Sequence, residues 1–249
     1  MVFKVKHKDN LFFHVCRAIV RVFRRKPTII RLYEGEMQHP CIMIGNHSAV
    51  SGAMTYRLAL CPPAFMTWAA HSMCEGYRAR SKYMRKTFYR QKLGFGKFGS
   101  NVLGSLFSIV LGVFYKTAGT IPVYYDGRVK KTFEYSLQTL GEGVSVLIFP
   151  EDSDTGYSDV LEKEMHPGYL TLARLYRAKT GEDLPVYPMY YSKKKNVIAV
   201  GEPQYTGKLS ETMDKNEMNE FFRKSINALG VYASENKPEN KRGERKKTP

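Results

Sequence analysis

Cys41-Ile42-Met43-Ile44-Gly45-Asn46-His47-Ser48 and Val144-Ser145-Val146-Leu147-Ile148-Phe149-Pro150-Glu151-Asp152-Ser153-Asp154 are the two stretches whose reading decides the fold. Each is a short apolar run that stops abruptly at polar residues. Runs of this length, rich in branched side chains, read as buried strands. In α/β sheets, ligands bind beyond the carboxyl ends of strands. A histidine at one strand end and an acidic cluster at another therefore point to one shared site.

Further strand signals lie at residues 64–69, 120–125, 184–190 and 197–200. Helical patterns fall between them. Residues 129–140 place Phe133, Leu137 and Leu140 on one face and meet Gly141, an expected C-cap. Residues 167–178 start with Pro167, favoured in a first helical turn. Asp214 and Glu217 have capping-box spacing ahead of Met218, Phe221, Phe222 and Leu229. Strands alternating with helices predict an α/β fold: one domain at residues 35–232, with a largely parallel mixed sheet flanked by helices. Residues 233–249 mix lysine, glutamate, asparagine and proline and read as a disordered charged tail.

The chain has 249 residues and a formal net charge of +16, which implies an anionic partner. Much of that charge falls in two stretches, residues 1–31 and residues 78–97. The N-terminal segment, residues 1–34, has helical spacing. His14, Arg17, Arg21, Arg24 and Arg25 share a face, while Leu11, Phe12, Val15, Ile19, Val22 and Phe23 cover most of the rest. That pattern suits an amphipathic helix in an anionic membrane interface, or one packed on its own domain. No run is long and apolar enough for a membrane span. Residues 102–115 come nearest and read as a core helix or a segment dipping into a bilayer. The four cysteines, Cys16, Cys41, Cys61 and Cys74, lack metal-ligand spacing and read as free thiols in a reducing compartment. Seventeen tyrosines and the basic charge form no recognition motif for nucleic acid. Together these features predict a cytoplasmic protein, peripheral on the inner face of a membrane.

The blocks resemble the glycerophospholipid acyltransferase family, whose best-known members acylate lysophosphatidate. The family's Asn-His-x4-Asp is matched by Asn46-His47, with Gly52 where the aspartate would stand. Its Gly-x-Ile-x-Val-x-Arg is matched by Gly119-Thr120-Ile121-Pro122-Val123-Tyr124-Tyr125. Its Phe-Pro-Glu-Gly-Thr-Arg-Ser is matched by Phe149-Pro150-Glu151-Asp152-Ser153-Asp154-Thr155. Later blocks look like His166-Pro167-Gly168, Leu184-Pro185-Val186-Tyr187-Pro188 and Val200-Gly201-Glu202-Pro203. The resemblance spans roughly residues 35–205. The departures are Gly52, Tyr125 and Asp154, where the family has aspartate, arginine and arginine.

The resemblance implies that His47 acts as the general base and that Glu151 keeps the family glutamate's role. A hydroxyl would attack the acyl thioester directly. Losing the carboxylate that orients such a histidine costs roughly 10⁴-fold in the serine proteases. Asp154 or Asp152 is the expected substitute. Ser48, Ser51, Gly119, Ile121, Pro122, Arg128, Asp152 and Ser153 are the expected substrate-contacting positions, with Arg128 standing in partly for the lost arginines. Asp154 would repel phosphate, which turns the acceptor away from lysophosphatidate toward another lysolipid, a glycolipid or a similar alcohol. The expected partners are acyl-CoA or acyl carrier protein, a lipid acceptor and an anionic membrane surface, with no cofactor and no metal. The alternative is a catalytically lapsed relative that binds lipid at a membrane.

Overall fold

The computed structural model describes residues 3–8, 11–23, 25–47, 52–60, 65–92, 94–151, 160–161 and 165–236. Its strands are β1 (Thr28–Arg31), β2 (Ile42–Gly45), β3 (Phe65–Ala70), β4 (Thr120–Val123), β5 (Ser145–Ile148), β6 (Pro185–Ser192), β7 (Val197–Val200) and β8 (Gln204–Tyr205). They form one sheet in the order β1-β7-β6-β2-β5-β3-β4, with β8 beside β6. The run β6-β2-β5-β3-β4 is parallel throughout, and β7 joins it antiparallel to β6. The expected largely parallel mixed sheet is present. β1 was not expected. It pairs in parallel with β7 and draws residues 28–31 into the sheet.

Period-two alternation builds the two faces of the sheet. Ile42, Ile44, Val146, Ile148 and Val186 point to one side, where they pack with Tyr169, Leu172, Phe222 and Ile226. Those partners come from α7 (Gly168–Thr180) and α9 (Lys215–Glu235), with the short α8 (Thr206–Leu209) between them in the chain. Cys41, Met43, Leu147, Tyr187 and Met189 point to the other side, against Tyr56 and Ala59. Tyr56 and Ala59 belong to α2 (Gly52–Leu60). Burial pushes the Cys41 thiol up to about 12, so it stays protonated and inert.

Local signals hold in part. The capping box forms as expected. Asp214 accepts from the backbone N–H groups of Asn216 and Glu217, and Glu217 accepts from that of Asp214. Pro167 sits one residue earlier than expected, as the N-cap of α7. Gly141 is the last residue of α6 (Val129–Gly141) rather than its cap. Gly143 takes the left-handed conformation instead, with φ of 79°.

A third apolar cluster lies beyond the β3 and β4 edge. It is made by α3 (His71–Cys74), α4 (Tyr77–Tyr83), a π-helical stretch (Met84–Lys92) and α5 (Lys97–Thr117). Met73, Met84 and Tyr89 are its buried centre. Two glycines let α5 approach. A Cβ on Gly104 would lie 2.6 Å from Arg85 Cγ and 2.9 Å from its backbone nitrogen, and one on Gly112 would overlap the Arg80 guanidinium. Residues 102–115 are therefore part of a longer helix. One side packs on the π-helical stretch, and the opposite side exposes Phe98, Val102, Leu106, Ile109, Val110 and Val113. No helix among the described residues is long and apolar enough to cross a membrane.

α1 (Leu11–Phe23) forms where expected. Phe13 is buried, while Leu11, Val15 and Val22 are exposed beside exposed His14 and Arg21. Arg24 lies outside the described residues, as do residues 237–249; the tail read above as starting at 233 begins later, because residues 233–235 are the end of the helix Lys215–Glu235 and Ala233 is fully buried. Residues 3–8 run along α6. Phe3 stacks on Tyr135 at 4.2 Å, and His7 Nε2 lies 2.9 Å from Glu142 Oε2.

Candidate active site

β2 and β5 are neighbours in register, Ile44 opposite Ile148, so their polar continuations emerge side by side. Asn46 follows β2 and is fully buried. Its Nδ2 donates to the Tyr191 carbonyl at 3.1 Å, and its Oδ1 accepts from the Tyr191 N–H at 2.7 Å and the Tyr56 hydroxyl at 3.1 Å. Asn46 thus ties β2 to β6 and to α2. Gly45 permits this, because a Cβ there would lie 2.6 Å from the Tyr56 oxygen.

With Asn46 locked, the position of the next residue is set. The His47 backbone N–H donates to Glu151 Oε1 at 2.6 Å. The His47 ring meets Phe149 edge-on, 4.9 Å between centroids, and Tyr56 backs Phe149 at 5.5 Å. Glu151 is partly withdrawn from water, and burial pushes its carboxyl up to about 7 against the opposing pull of the His47 N–H. A carboxyl poised near neutrality beside a histidine is the kind of perturbation found at functional sites. The Glu151 contact is to the His47 backbone, so it places the loop rather than setting the ring's tautomer.

His47 and Glu151 open onto a cavity of about 410 Å³. Met73, Met84, Phe88, Tyr89, Phe107 and Leu111, from the helices at the sheet edge, give it an apolar lining. Arg57 of α2 also lines it, only 2% exposed, with its guanidinium over the rings of Phe65 and Phe13. Tyr125, Trp68 and Thr67 also line it. The arrangement can hold an elongated apolar group with one end beside an imidazole.

The expected residues divide into three groups. His47 and Glu151 come together. Gly119, Pro122 and Arg128 line a neighbouring cavity instead, and Ile121 is fully buried in the main core. Arg128 is bound to Asp126 and Glu75, 2.7 and 2.8 Å away, and is not directed at His47. Ser48, Ser51, Asp152, Ser153 and Asp154 lie outside the described residues. Position 52 opens α2 as a glycine, and no carboxylate stands there. Groups of three or more metal-ligating side chains are absent among the described residues. Sequence reasoning missed Arg57 and the aromatic wall. Arg57 follows His47 by ten residues, but nothing in a helix of weak amphipathicity marked it as interior.

No family model matches this chain, and no curated protein matches it. Among solved structures it is similar to a 1-acyl-sn-glycerophosphate (LPA) acyltransferase, PlsC, from Thermotoga maritima, with 12% identity and a TM-score of 0.47. The likeness covers 89% of this chain and 77% of that one.

Proposed function

We propose that this protein is an acyltransferase that moves a fatty acyl group from a thioester donor to a lipid hydroxyl at a membrane surface. The observation that carries the reading is His47, at the carboxyl end of β2, opening onto an apolar cavity of about 410 Å³. The motif resemblance of residues 46–47 and 149–151 supports it independently. In the proposed step the His47 ring takes the proton of the acceptor hydroxyl as its oxygen attacks the thioester carbonyl. The C–S bond then breaks, and the proton passes from the imidazolium to the departing thiolate. Arg57, the permanent cation of that cavity wall, favours negative charge building on the carbonyl oxygen. The acyl chain lies against Met84, Phe88, Phe107 and Leu111. The donor is acyl-CoA or acyl carrier protein, and the acceptor is a lysolipid, glycolipid or similar alcohol.

The membrane contact is the exposed face of α5, extended by Leu11, Val15 and Val22 of α1, which touches it. Exposed Arg78, Lys82, Lys86, Arg90 and Lys97 supply cations for an anionic, cytoplasmic-side leaflet. Leu106→Asp with Ile109→Asp is expected to lower co-sedimentation with anionic vesicles at unchanged melting temperature. Equal sedimentation would remove α5 from the contact.

Gly52 favours a second reading, lipid binding without turnover, because it leaves the histidine without the family's aspartate. Labelled acyl transfer into a panel of lysolipids and glycolipids, wild type beside His47→Ala, separates the two. A product lost in His47→Ala supports the enzyme. A product unaffected by the substitution refutes His47 as base, and intact vesicle binding without any product favours the second reading.

A further inference from the structure

A second cavity, of about 820 Å³, lies on the other side of β4. Five cations line it, Lys4, Lys6, Arg80, Arg128 and Lys131, of which Arg128 is already paired with Asp126 and with Glu75, the one carboxylate in the lining. Arg80 is the unusual member. It is 5% exposed, its Nε donates to the Ser108 carbonyl at 2.6 Å, and its Nη1 donates to the Met73 carbonyl at 3.0 Å. It makes no ion pair among the described residues. A buried guanidinium satisfied only by carbonyl dipoles retains its full charge, which is costly without a counterion. Gly112 keeps room for it, since a side chain there would collide with the guanidinium.

Tyr115 and Thr120 belong to the walls of both cavities. Arg57 of the His47 cavity also reaches the junction, its Nη2 being 3.2 Å from where a Gly119 Cβ would lie. From Thr120 to Val123 the strand advances about 10 Å toward the end of the sheet that carries His47. A ligand anchored by charge in the basic cavity would pass Tyr115 and Thr120 to reach the imidazole, with β3 and β5 between β4 and β2, about 14 Å across the sheet.

We propose that the basic cavity seats the phosphate groups of coenzyme A, with its thiol arm passing Tyr115 and Thr120 into the His47 cavity. The assignment rests on the acyl-transfer reading and names its donor. Besides the paired Arg128, the other four lining cations exceed what the single phosphodiester of a carrier protein's arm needs, and they suit a ligand bearing several phosphates. The volume is that of a cofactor-sized site rather than a bare phosphate site. Phe3 and Tyr135, stacked on each other at 4.2 Å, add aromatic wall.

The test is calorimetric titration of the full chain with coenzyme A, inorganic pyrophosphate and glycerol 3-phosphate. Lys131→Glu and Lys4→Glu are exposed and leave the core intact, and Arg80→Gln probes the buried charge. Coenzyme A is expected to bind the wild type, with Kd raised about 10-fold by Lys131→Glu. Its binding should weaken with salt and persist in His47→Ala. The assignment is overturned if coenzyme A fails to bind, if its Kd ignores Lys131→Glu and Lys4→Glu, or if glycerol 3-phosphate displaces it. Charge-sensitive binding of coenzyme A without any acyl transfer would keep the site and refute the transferase reading. Transfer from acyl-CoA whose KM ignores both charge reversals would keep the reading and refute the site.

Discussion

Glu151→Gln should stabilise the protein at alkaline pH and do much less at acidic pH. Burial raises the Glu151 carboxyl from 4.5 to about 7. Below pH 4.5 the folded and unfolded chains both hold the proton, and the group does not discriminate between them. Between 4.5 and 7 the folded state keeps a proton that the unfolded state has released, so stability falls as pH rises. Above 7 both states are ionised and the loss is complete. At about 1.4 kcal/mol per pH unit the full loss is about 3 kcal/mol, and partial exposure to water reduces it to about 2 kcal/mol. Glutamine never ionises, yet its carbonyl still accepts from the His47 N–H. Urea unfolding at pH 5 and pH 8.5, followed by far-ultraviolet circular dichroism, measures the difference. The variant should gain about 2 kcal/mol on the wild type between those two values. An equal gap at both would mean that Glu151 is not withdrawn from water, and the placement of His47 beside a near-neutral carboxyl would fall with it.

Asn46→Ala should cost about 2–4 kcal/mol, because it removes the side chain that pairs with the Tyr191 N–H and carbonyl and accepts from the buried Tyr56 hydroxyl; a loss below 1 kcal/mol in urea unfolding would refute that role. Gly104→Ala should lower stability by about 1 kcal/mol net, since overpacking against the Arg85 backbone outweighs the helical gain of alanine. Gly141→Ala has open space and should stabilise by a few tenths to about 1 kcal/mol, so paired thermal scans of the two alanine variants should move in opposite directions.

The central strands were legible because their apolar runs end at polar residues, and β2, β3, β5, β6 and β7 fall within two residues of their expected bounds. The capping box was legible because its signal lies within four residues. β1 was not, since four residues on an edge carry little pattern and follow a run of arginine and lysine. The stretch 78–97 was legible as charge but not as structure. Its even scatter of cations concealed that Arg80 is interior while Arg78, Lys82 and Lys86 are exposed. Buried arginine is rare, so sequence favours the surface by default. Arg128 failed as the replacement for the lost arginines through a purely local effect: Asp126, two residues away, accepts from both its backbone and its guanidinium.

α5 is a partition one helix thick. Phe107 and Leu111 face the His47 cavity, while Leu106, Ile109, Val110 and Val113 face outward. A helix with its side chains is about 10 Å across. With the outer face bedded in lipid as proposed, a hydrocarbon tail reaching the cavity need never be dispersed in water. Turnover would then follow the mole fraction of acceptor within the leaflet rather than its bulk concentration, and diluting the acceptor with inert lipid would slow the reaction even when its total amount is unchanged.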